Sequence, residues 1–396
     1  MNRRHFLRAG LAASPALTIA GRLFAAPASA PRFLCVFLRG GYDCANFLIP
    51  YSSSFYYESR PRIAIAKPDA AINDGALALD SEWALAPAAR DSLGPLYQRG
   101  QAIFIPFAGT EDLTRSHFET QDSIELGQPV QPQRDFRSGF LARLATTLNG
   151  ATPIAFTDSL PLSFAGDPGI ANIALQRAGK SPFDDTQSSV LRSMYTGNRL
   201  ESAVTEGLEL QQQVAQAMQD EMKAANRGAI STKGFELTAE RMARFMRTQY
   251  RLGFVDVGGW DTHVNEGAAQ GQLASNLTSL GKGLATFADT MGDEWNNTVV
   301  FVLSEFGRTF RENGNAGTDH GHGSVYWVLG GKINGGRIAG EQVRLERRTL
   351  FQDRDYPVLN NYRNVLAGMF GTLWGLAPQQ LDTVFPGAPP VDLKLV

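Results

Sequence analysis

Short apolar runs that break off into glycine-rich, polar sequence are the feature that most constrains this chain. The clearest run is 299–303, Val-Val-Phe-Val-Leu, and the polar stretch 304–323 follows it directly. A continuous apolar run of this length is typical of a strand that is buried on both faces of a parallel sheet. Comparable runs occupy residues 33–38, 102–106, 252–257 and 325–329, with a shorter one at 153–156. We therefore expect buried strands whose ends carry polar loops.

Helical periodicity fills several of the intervals between these runs. Apolar residues from Leu273 to Met291 recur at steps of four and three, which predicts a helix that packs on the sheet. A further helix is predicted from Asn361 to Trp374, and the segment at about 200–247 predicts a helical lobe. The glycines at 330–336 favour a hairpin turn. Strands that alternate with helices predict an α/β fold, a three-layer α/β/α sandwich with a mainly parallel central sheet.

The first residues predict an export leader. Arg3 and Arg4 form a twin-arginine pair ahead of an apolar stretch rich in alanine, which is typical of a Tat signal peptide. Cleavage within residues 26–30 is open between the sites Ala28-Ser29-Ala30 and Ala26-Pro27-Ala28. We assign residues 1–30 to the leader and 31–396 to the folded domain. Because the apolar part is too short for a membrane span of about 20 residues, we expect a periplasmic or secreted protein that meets the Tat translocase during export.

Composition narrows the function classes. A formal net charge of -2, without a basic stripe, argues against a nucleic-acid partner. The two cysteines, Cys35 and Cys44, are too few for a disulfide framework. Export permits a bridge between them, but Cys35 lies in an apolar run, which favours a small buried side chain. The oligomeric state is left open.

Metal-ligand and acid–base side chains concentrate after the predicted strands. The candidates in the loop 304–323 are Glu305, Arg308, Asp319, His320 and His322. The remaining histidines outside the leader are His117 and His263, so three separate segments would have to converge on one centre. Such a centre is expected to bind a divalent metal, with His117 as a catalytic residue and not a metal ligand.

Two glycine-rich turns add carboxylates to this set. Asp261 and His263 follow Gly258-Gly259 and are two residues apart, so they share one side of an extended segment and can approach one cation together. Asp43 follows the turn Gly40-Gly41 at the end of the first run, where it is either a functional carboxylate or an ordinary turn former.

The segment 114–118 supplies the candidate nucleophile. Ser116 is the first choice and Thr114 the second, because a hydroxyl at a helix N-terminus lies among N–H groups that favour bound anions. Simple helix capping by these residues is the open alternative. Arg115 and Arg308 would hold the anionic oxygens of a phosphate or sulfate group.

In combination, these motifs resemble one known family. The twin-arginine leader, Arg39-Gly-Gly-Tyr-Asp43, Thr114-Arg-Ser-His-Phe118, Gly258-Gly-Trp-Asp-Thr-His263, Ser304-Glu-Phe-Gly-Arg-Thr309 and Gly317-Thr-Asp-His-Gly-His-Gly323 occur in order. They resemble the exported domain of unknown function 1501 family, along essentially the whole mature chain. That family is in turn similar to the alkaline phosphatase and sulfatase superfamily, with a central sheet between helical layers and a metal centre that hydrolyses phosphate or sulfate esters.

The resemblance implies roles for individual residues. Asp43 matches the metal-binding aspartate after the first strand, and Ser116 matches the nucleophile. Asp261 and His263 match the pair that binds one metal, although they lie closer together than is usual. Glu305 stands where the superfamily has an aspartate, but Phe306 replaces the histidine that usually follows. The closing histidine is either His320 or His322.

The expected function is hydrolysis of a small anionic or envelope-derived phosphate or sulfate ester. A Ser or Thr hydroxyl or a metal-bound water would attack the ester with the help of a divalent metal, Zn²⁺ first, with Mn²⁺, Ca²⁺ or Mg²⁺ as alternatives. Two other classes remain open: an exported protein that binds a metal or anion without turnover, and a scaffold in which these side chains form only a hydrogen-bonded network.

Overall fold

The computed structural model describes residues 30–69, 71, 74–130, 134–167, 169–175, 185–209 and 234–396. The predicted leader lies outside the described residues, apart from Ala30. The strands are β1 (Arg32–Leu38), β2 (Leu48–Ile49), β3 (Leu77–Ala78), β4 (Ala84–Leu85), β5 (Ala102–Gly109), β6 (Pro153–Ala155), β7 (Ala171–Asn172), β8 (Leu252–Val257), β9 (Thr298–Ser304), β10 (Ser324–Gly330), β11 (Arg337–Ile338) and β12 (Asn360–Asn361). The labelled α-helices are α1 (Ser54–Ser59), α2 (Pro87–Gln98), α3 (His117–Leu126), α4 (Phe140–Leu148), α5 (Asp185–Tyr195), α6 (Phe235–Thr248), α7 (Gln272–Met291), α8 (Tyr362–Trp374) and α9 (Pro378–Val384).

A nine-stranded sheet forms the middle layer. Its order is β11-β5-β10-β9-β1-β8-β6-β7, and β12 also pairs with β5. The pairings are parallel except those of β10, which is antiparallel to both β5 and β9. The predicted, mainly parallel sheet is confirmed. A separate three-stranded sheet has the order β2-β4-β3.

Helices cover both faces of the central sheet. Alternate side chains of each strand point to opposite faces, so strands that are apolar throughout need a covering layer on each side. Leu34 and Val36 of β1 lie in one core with α2, α6 and α7. Phe33 and Cys35 of the same strand lie in the other core with α4, α8 and α9. The predicted three-layer sandwich is therefore confirmed.

The hairpin predicted at 330–336 is wrong. The chain does turn after β10, but β11 pairs in parallel with β5, on the opposite side of β5 from β10. The turn therefore carries the chain across β5 to the sheet's edge.

Half of the predicted helical lobe at about 200–247, residues 210–233, lies outside the described residues, and the lobe stays a prediction. Residues 201–209 are helical. The last part of the segment, α6, packs against α7 in the helical layer, where Met242 and Met246 are fully buried.

Cys35 and Cys44 are free, and both thiols are buried. They belong to the two opposite cores, which excludes a bridge between them in this fold. Burial raises the pKa of both thiols. Among the described residues, none of the helices combines the length and the apolar character that a membrane crossing requires.

Candidate metal centre

The carboxyl ends of four strands meet at one edge of the sheet. β1 pairs in parallel with β8 and β9, and β5 runs in the same direction because β10 is antiparallel to both β5 and β9. The loops that leave these four strands carry Asp43, His117, Asp261 with His263, and the stretch 305–323. The segments identified in the sequence therefore lie at this edge.

Three imidazole rings and one carboxylate form the middle of the edge. We call them the histidine cluster: His117, His263, His320 and Asp261. Nε2 of His263 lies 2.9 Å from Asp261 Oδ1, and Nε2 of His320 lies 3.2 Å from the same oxygen. Nε2 of His117 lies 3.6 Å from Asp261 Oδ2. His117, Asp261 and His320 each offer one ligand atom within 4.8 Å of the others, a spacing that could surround one ion.

The opposite nitrogen of each ring faces an acceptor. The Nδ1 pairs are His117 with Glu305 Oε1 at 2.9 Å, His320 with the carbonyl oxygen of Arg115 at 3.1 Å, and His263 with Asp319 Oδ1 at 3.4 Å. In His117 and His320 the acceptor at Nδ1 is nearer than the carboxylate oxygen at Nε2. This favours the tautomer that carries its proton on Nδ1 and leaves a lone pair on Nε2. Metal-binding histidines are typically anchored in this way by a carboxylate or a carbonyl oxygen.

Two features of the histidine cluster fit a cation. His117 Nε2 is buried and has no hydrogen-bond partner among the described residues. The Nε2 atoms of His263 and His320 lie 3.1 Å apart, so two lone pairs face each other when both protons are on Nδ1. A divalent ion accepts such lone pairs and the carboxylate together, and the donor set therefore fits one.

Burial and nearby charges keep two of the candidate ligands, His320 and Asp261, in the protonation state that a metal needs. Burial lowers the pKa of His320, and the charges of His117 and Arg308 lower it further. Burial opposes ionisation of Asp261, but the hydrogen bond and charge of Arg308 hold the pKa of this carboxyl below its usual value. At neutral pH His320 is therefore neutral and Asp261 is ionised. His117 differs, because its hydrogen bond to Glu305 raises its pKa against the effect of burial.

Glu305 is a fully buried acceptor behind His117. Its Oε1 accepts from His117, from Gln121 Nε2 at 2.9 Å and from the N–H of Gly40 at 2.8 Å, and its Oε2 accepts from Ser304 Oγ at 2.9 Å. Burial raises the pKa of a carboxyl, but these hydrogen bonds lower that of Glu305 below its usual value. An ionised carboxylate with four donors is suited to orienting His117 rather than to direct metal binding.

Arg308 joins the loops of three strands. Its guanidinium donates to the carbonyl oxygens of Gly40, Gly41, Trp260 and Thr318 and to Asp261 Oδ1, the last at 2.5 Å. Its side chain is fully buried. Nη1 also faces His263 Nε2 at 3.4 Å, so each of the five N–H groups has an acceptor on the protein. The arginine therefore fixes Asp261 in place. The expected binding of a substrate anion by Arg308 stays a prediction.

Asp43 and His322 lie apart from the histidine cluster. Asp43 forms a buried ion pair with Arg60, whose Nη2 donates to Asp43 Oδ1 at 3.0 Å. His322 is buried against the ring of Phe351 at 5.0 Å, and burial lowers its pKa to about 4. Of the two possible closing histidines, the structure brings His320 to Asp261.

The hydroxyls of Thr114 and Ser116 differ in their hydrogen bonds. Thr114 Oγ1 donates to Asp112 Oδ1 at 2.7 Å, which ties it into its own turn. Ser116 precedes α3 and makes no side-chain cap hydrogen bond. The guanidinium of Arg115 binds Asp355, while its carbonyl oxygen anchors His320. Arg115 has φ +53°, an uncommon conformation for a side chain with Cβ.

Two supporting residues were missed in the sequence. Gln121 donates to Glu305 and accepts from Arg39 Nη1 at 2.9 Å; its place four residues after His117, on the same helix face, could have indicated it. Glu266 is fully buried, and its Oε2 accepts from Thr262 Oγ1 at 3.0 Å and Thr318 Oγ1 at 2.9 Å. No residue pattern in the sequence indicates that role.

Two glycines let the loops approach each other closely. A Cβ on Gly317 would lie 2.4 Å from the main-chain carbonyl of His263. Gly40 has φ +125°, and its Cβ would lie 2.8 Å from the main-chain nitrogen of Asp261. Any side chain at either position would push a ligand-bearing loop outward.

Comparisons with known proteins agree with the family resemblance. The family model described as "Protein of unknown function (DUF1501)" matches residues 30–385. No curated protein matches the chain significantly. A structure of a protein in the alkaline phosphatase superfamily from Vibrio parahaemolyticus is 12% identical, with TM-score 0.37, over 87% of this chain and 66% of that one.

Two further solved structures are similarly distant. The lipoteichoic acid synthase LtaP from Listeria monocytogenes is 7% identical, with TM-score 0.42, over 93% of this chain and 76% of that one. The C-terminal periplasmic domain of EcEptC from Escherichia coli, in complex with Zn, is 7% identical, with TM-score 0.37, over 76% of this chain and 74% of that one. Similarities this remote do not indicate a reaction for this chain.

Proposed function

The chain belongs to the family described as protein of unknown function (DUF1501), and we propose that it is a metal-dependent hydrolase of phosphate or sulfate esters. One observation carries the proposal: Nε2 atoms of three histidines surround Asp261, while the Nδ1 atom of each ring faces an acceptor. This arrangement supports a metal site at the carboxyl ends of parallel strands, where α/β enzymes bind their substrates.

The metal would be held by His117, His320 and Asp261, with His263 as a fourth donor. A set of imidazoles with one carboxylate favours Zn²⁺ over Mg²⁺ or Ca²⁺, which prefer oxygen ligands. A bound Zn²⁺ would polarise an ester oxygen and lower the pKa of a neighbouring hydroxyl or water. Glu305 and Asp319 would orient the rings of His117 and His263, and Arg308 would hold Asp261.

Ser116 is the proposed nucleophile. Thr114 already donates its hydroxyl to Asp112, whereas the Ser116 hydroxyl makes no cap bond to α3. The first-turn N–H groups of α3 lie beside it, and helix N-termini stabilise bound anions. Attack by the Ser116 oxygen on phosphorus or sulfur would release the alcohol, and water would then free the acid group from the serine.

Export by the Tat pathway remains part of the proposal. It rests on Arg3-Arg4 and the alanine-rich stretch that follows. The substrate would then be a small anionic or envelope-derived ester outside the cytoplasm.

A second candidate function is metal binding without turnover. The saturated guanidinium of Arg308 favours it. Nε and Nη2 of this arginine face acceptors on the protein, and Nη1 faces both Thr318 and His263, which leaves no N–H group for a substrate oxygen. Stoichiometric metal without hydrolysis of any aryl phosphate or sulfate would support this candidate.

Elemental analysis of the purified protein, combined with thermal melting before and after chelation, tests the metal site. We expect about one zinc per chain and a lower melting temperature after chelation, since an ion at 100 times its Kd stabilises a fold by about 2.7 kcal/mol. The matched variants are His320→Gln and His322→Gln, two histidines of one loop of which only His320 contacts Asp261.

The variants should differ from one another in metal content and in the hydrolysis of esters. His320→Gln should lose the metal and any hydrolysis of aryl phosphates or sulfates, while His322→Gln should keep both. Ser116→Ala should keep the metal and lose hydrolysis. A metal-free protein whose melting responds to none of the ions offered would refute the proposed function.

A further inference from the structure

A series of arginines leads away from the histidine cluster over the protein surface. Arg354 donates to the carbonyl oxygen of His320 at 2.8 Å. Arg354 and Arg115 both bind Oδ2 of Asp355, at 3.3 and 2.7 Å. The side chain of Asp355 is fully buried. The first two arginines are therefore fixed beside a candidate metal ligand.

The series continues along the segment 344–354. Arg347 and Arg311 both contact Asp353, at 2.7 and 3.3 Å. Arg348 and Arg344 both contact Glu346, at 2.8 and 3.5 Å. We call the complete set the arginine track: Arg115, Arg311, Arg344, Arg347, Arg348 and Arg354.

The arginine track carries more positive charge than its own carboxylates neutralise. Six arginines share three carboxylates, those of Glu346, Asp353 and Asp355, which leaves three positive charges in excess. The chain as a whole has a formal charge of -2, so this excess is local. A local field of this sign attracts anions and raises their association rate.

The outer part of the arginine track is accessible to a large ligand. The side chains of Arg344, Arg347 and Arg348 are 87%, 75% and 83% exposed. Among the described residues, Arg344 and Arg348 contact Glu346 through Nε, and their Nη groups remain for other acceptors. Guanidinium Nη groups bind the paired oxygens of sulfate and phosphate. Exposed ion pairs contribute little to stability, so folding alone does not account for two arginines per carboxylate.

We propose that the arginine track binds a polyanion, a chain that carries repeated sulfate or phosphate groups. On the premise of the proposed function, one ester group of this chain enters the histidine cluster while its neighbours lie along the track. The first arginines, at His320, would receive the group next to the reacting ester, and the exposed arginines would bind groups farther along. The substrate class is then a polymer with several anionic esters rather than an isolated small ester.

Binding of labelled polymers by the full-length protein tests the arginine track without any turnover. The probes are fluorescent dextran sulfate, fluorescent polyphosphate and neutral dextran of similar length, measured by anisotropy at two salt concentrations. The test variant is R344Q/R347Q/R348Q, which leaves Arg115 and Arg354 in place. The control is R99Q/R137Q/R244Q, which removes the same charge from exposed positions elsewhere.

We expect the native protein to bind at least one charged polymer and not neutral dextran, with weaker binding at high salt. The test variant should bind about tenfold more weakly, and the control variant should bind like the native protein. The polymer that binds distinguishes sulfate from phosphate esters. Equal binding by both variants, or no binding of either charged polymer, would overturn the proposal.

Hydrolysis of a small aryl ester separates this inference from the proposed function. The test variant should hydrolyse the small ester like the native protein, because its three arginines lie outside the histidine cluster. One outcome is that the native protein and both variants hydrolyse no ester while the test variant still binds the polymer more weakly than the native protein. In that case the hydrolase proposal fails and the polyanion-binding site stands. If turnover of the small ester falls in the test variant by the same factor as polymer binding, the three arginines affect the histidine cluster itself. The assignment of the arginine track to polyanion binding then fails.

Discussion

At the residue scale, Glu305 illustrates what a sequence pattern can and cannot specify. The pattern marks an acidic side chain at the end of a buried strand, and the structure puts that carboxylate behind His117 with four donors. A carboxylate that binds a metal directly and one that orients a metal-binding histidine can be the same residue type at the same place in a sequence. Only the direction of the side chain separates them, and packing determines that direction. The Nδ1 contacts of the three histidines were unpredictable for the same reason.

Replacing Glu305 with Gln tests the orienting role. The change removes the charge and one acceptor while all four histidine-cluster residues stay in place. We expect the affinity for Zn²⁺ to fall by about 10–100-fold, as for other partners of metal-binding histidines. Competition with a chelator of known affinity measures this. Glu312→Gln is the matched control, because Glu312 is also a multiply hydrogen-bonded carboxylate but binds Arg62 instead; unchanged affinity in Glu305→Gln would refute the role.

At the scale of elements, the six longest strands could be predicted because strands buried on both faces are continuous apolar runs, whereas the six strands of two residues are too short to show a pattern. The predicted 252–257 strand coincides with β8, and the predicted 299–303 strand is one residue shorter at each end than β9. The pairing of β11 could not be predicted, since glycine-rich sequence specifies a turn and not the partner of the strand that follows. Part of the contact between the loops after β8 and β9 is made by the side chain of Glu266, for which the sequence offers no periodic or motif signal.

Glu266 should hold these two loops together through its acceptor oxygen. Gln at this position keeps an oxygen for Thr262 and Thr318, so Glu266→Gln should bind Zn²⁺ within about threefold of the native affinity. Leu leaves two buried hydroxyls without that acceptor, at a cost of about 1–3 kcal/mol each, and should weaken Zn²⁺ binding about tenfold. Chelator competition and denaturant unfolding of the metal-free protein measure the two effects. Glu266→Leu with lower stability but native Zn²⁺ affinity would show a purely structural residue.

At the scale of the whole molecule, the alternation of strands and helices specifies three layers and one edge for the site. Each apolar strand divides its side chains between two cores, as Phe33 and Leu34 do. This rule predicts that Asp43, His117, Asp261 and Glu305 approach the same edge. It does not predict that Arg60 pairs with Asp43, because Arg60 directly follows α1, a short helix for which the strand pattern gives no position.

The contribution of His322 to the stability of the whole fold should fall in acid because this histidine is buried. Burial, followed by the charge of Arg115, lowers the pKa of His322 to about 4, whereas an unfolded histidine titrates near 6.5. Below about pH 6.5 the unfolded chain takes up this proton and the folded chain does not, so the contribution of His322 to the free energy of unfolding decreases as pH falls toward 4. Glu125 and Asp355, whose pKa values burial raises, act in the opposite direction, so the His322 effect has to be isolated by a difference.

That difference is the free energy of unfolding of the native protein minus that of His322→Gln, both metal-free. Between pH 7 and about 4.5 it should decrease by about 2–3 kcal/mol, since one pKa unit corresponds to 1.36 kcal/mol. Urea unfolding at several pH values measures it, and the carboxylates common to both proteins largely cancel. A difference that stays constant over this range would mean that His322 takes up its proton in the folded state, which its packing against Phe351 and its place near Arg115 oppose.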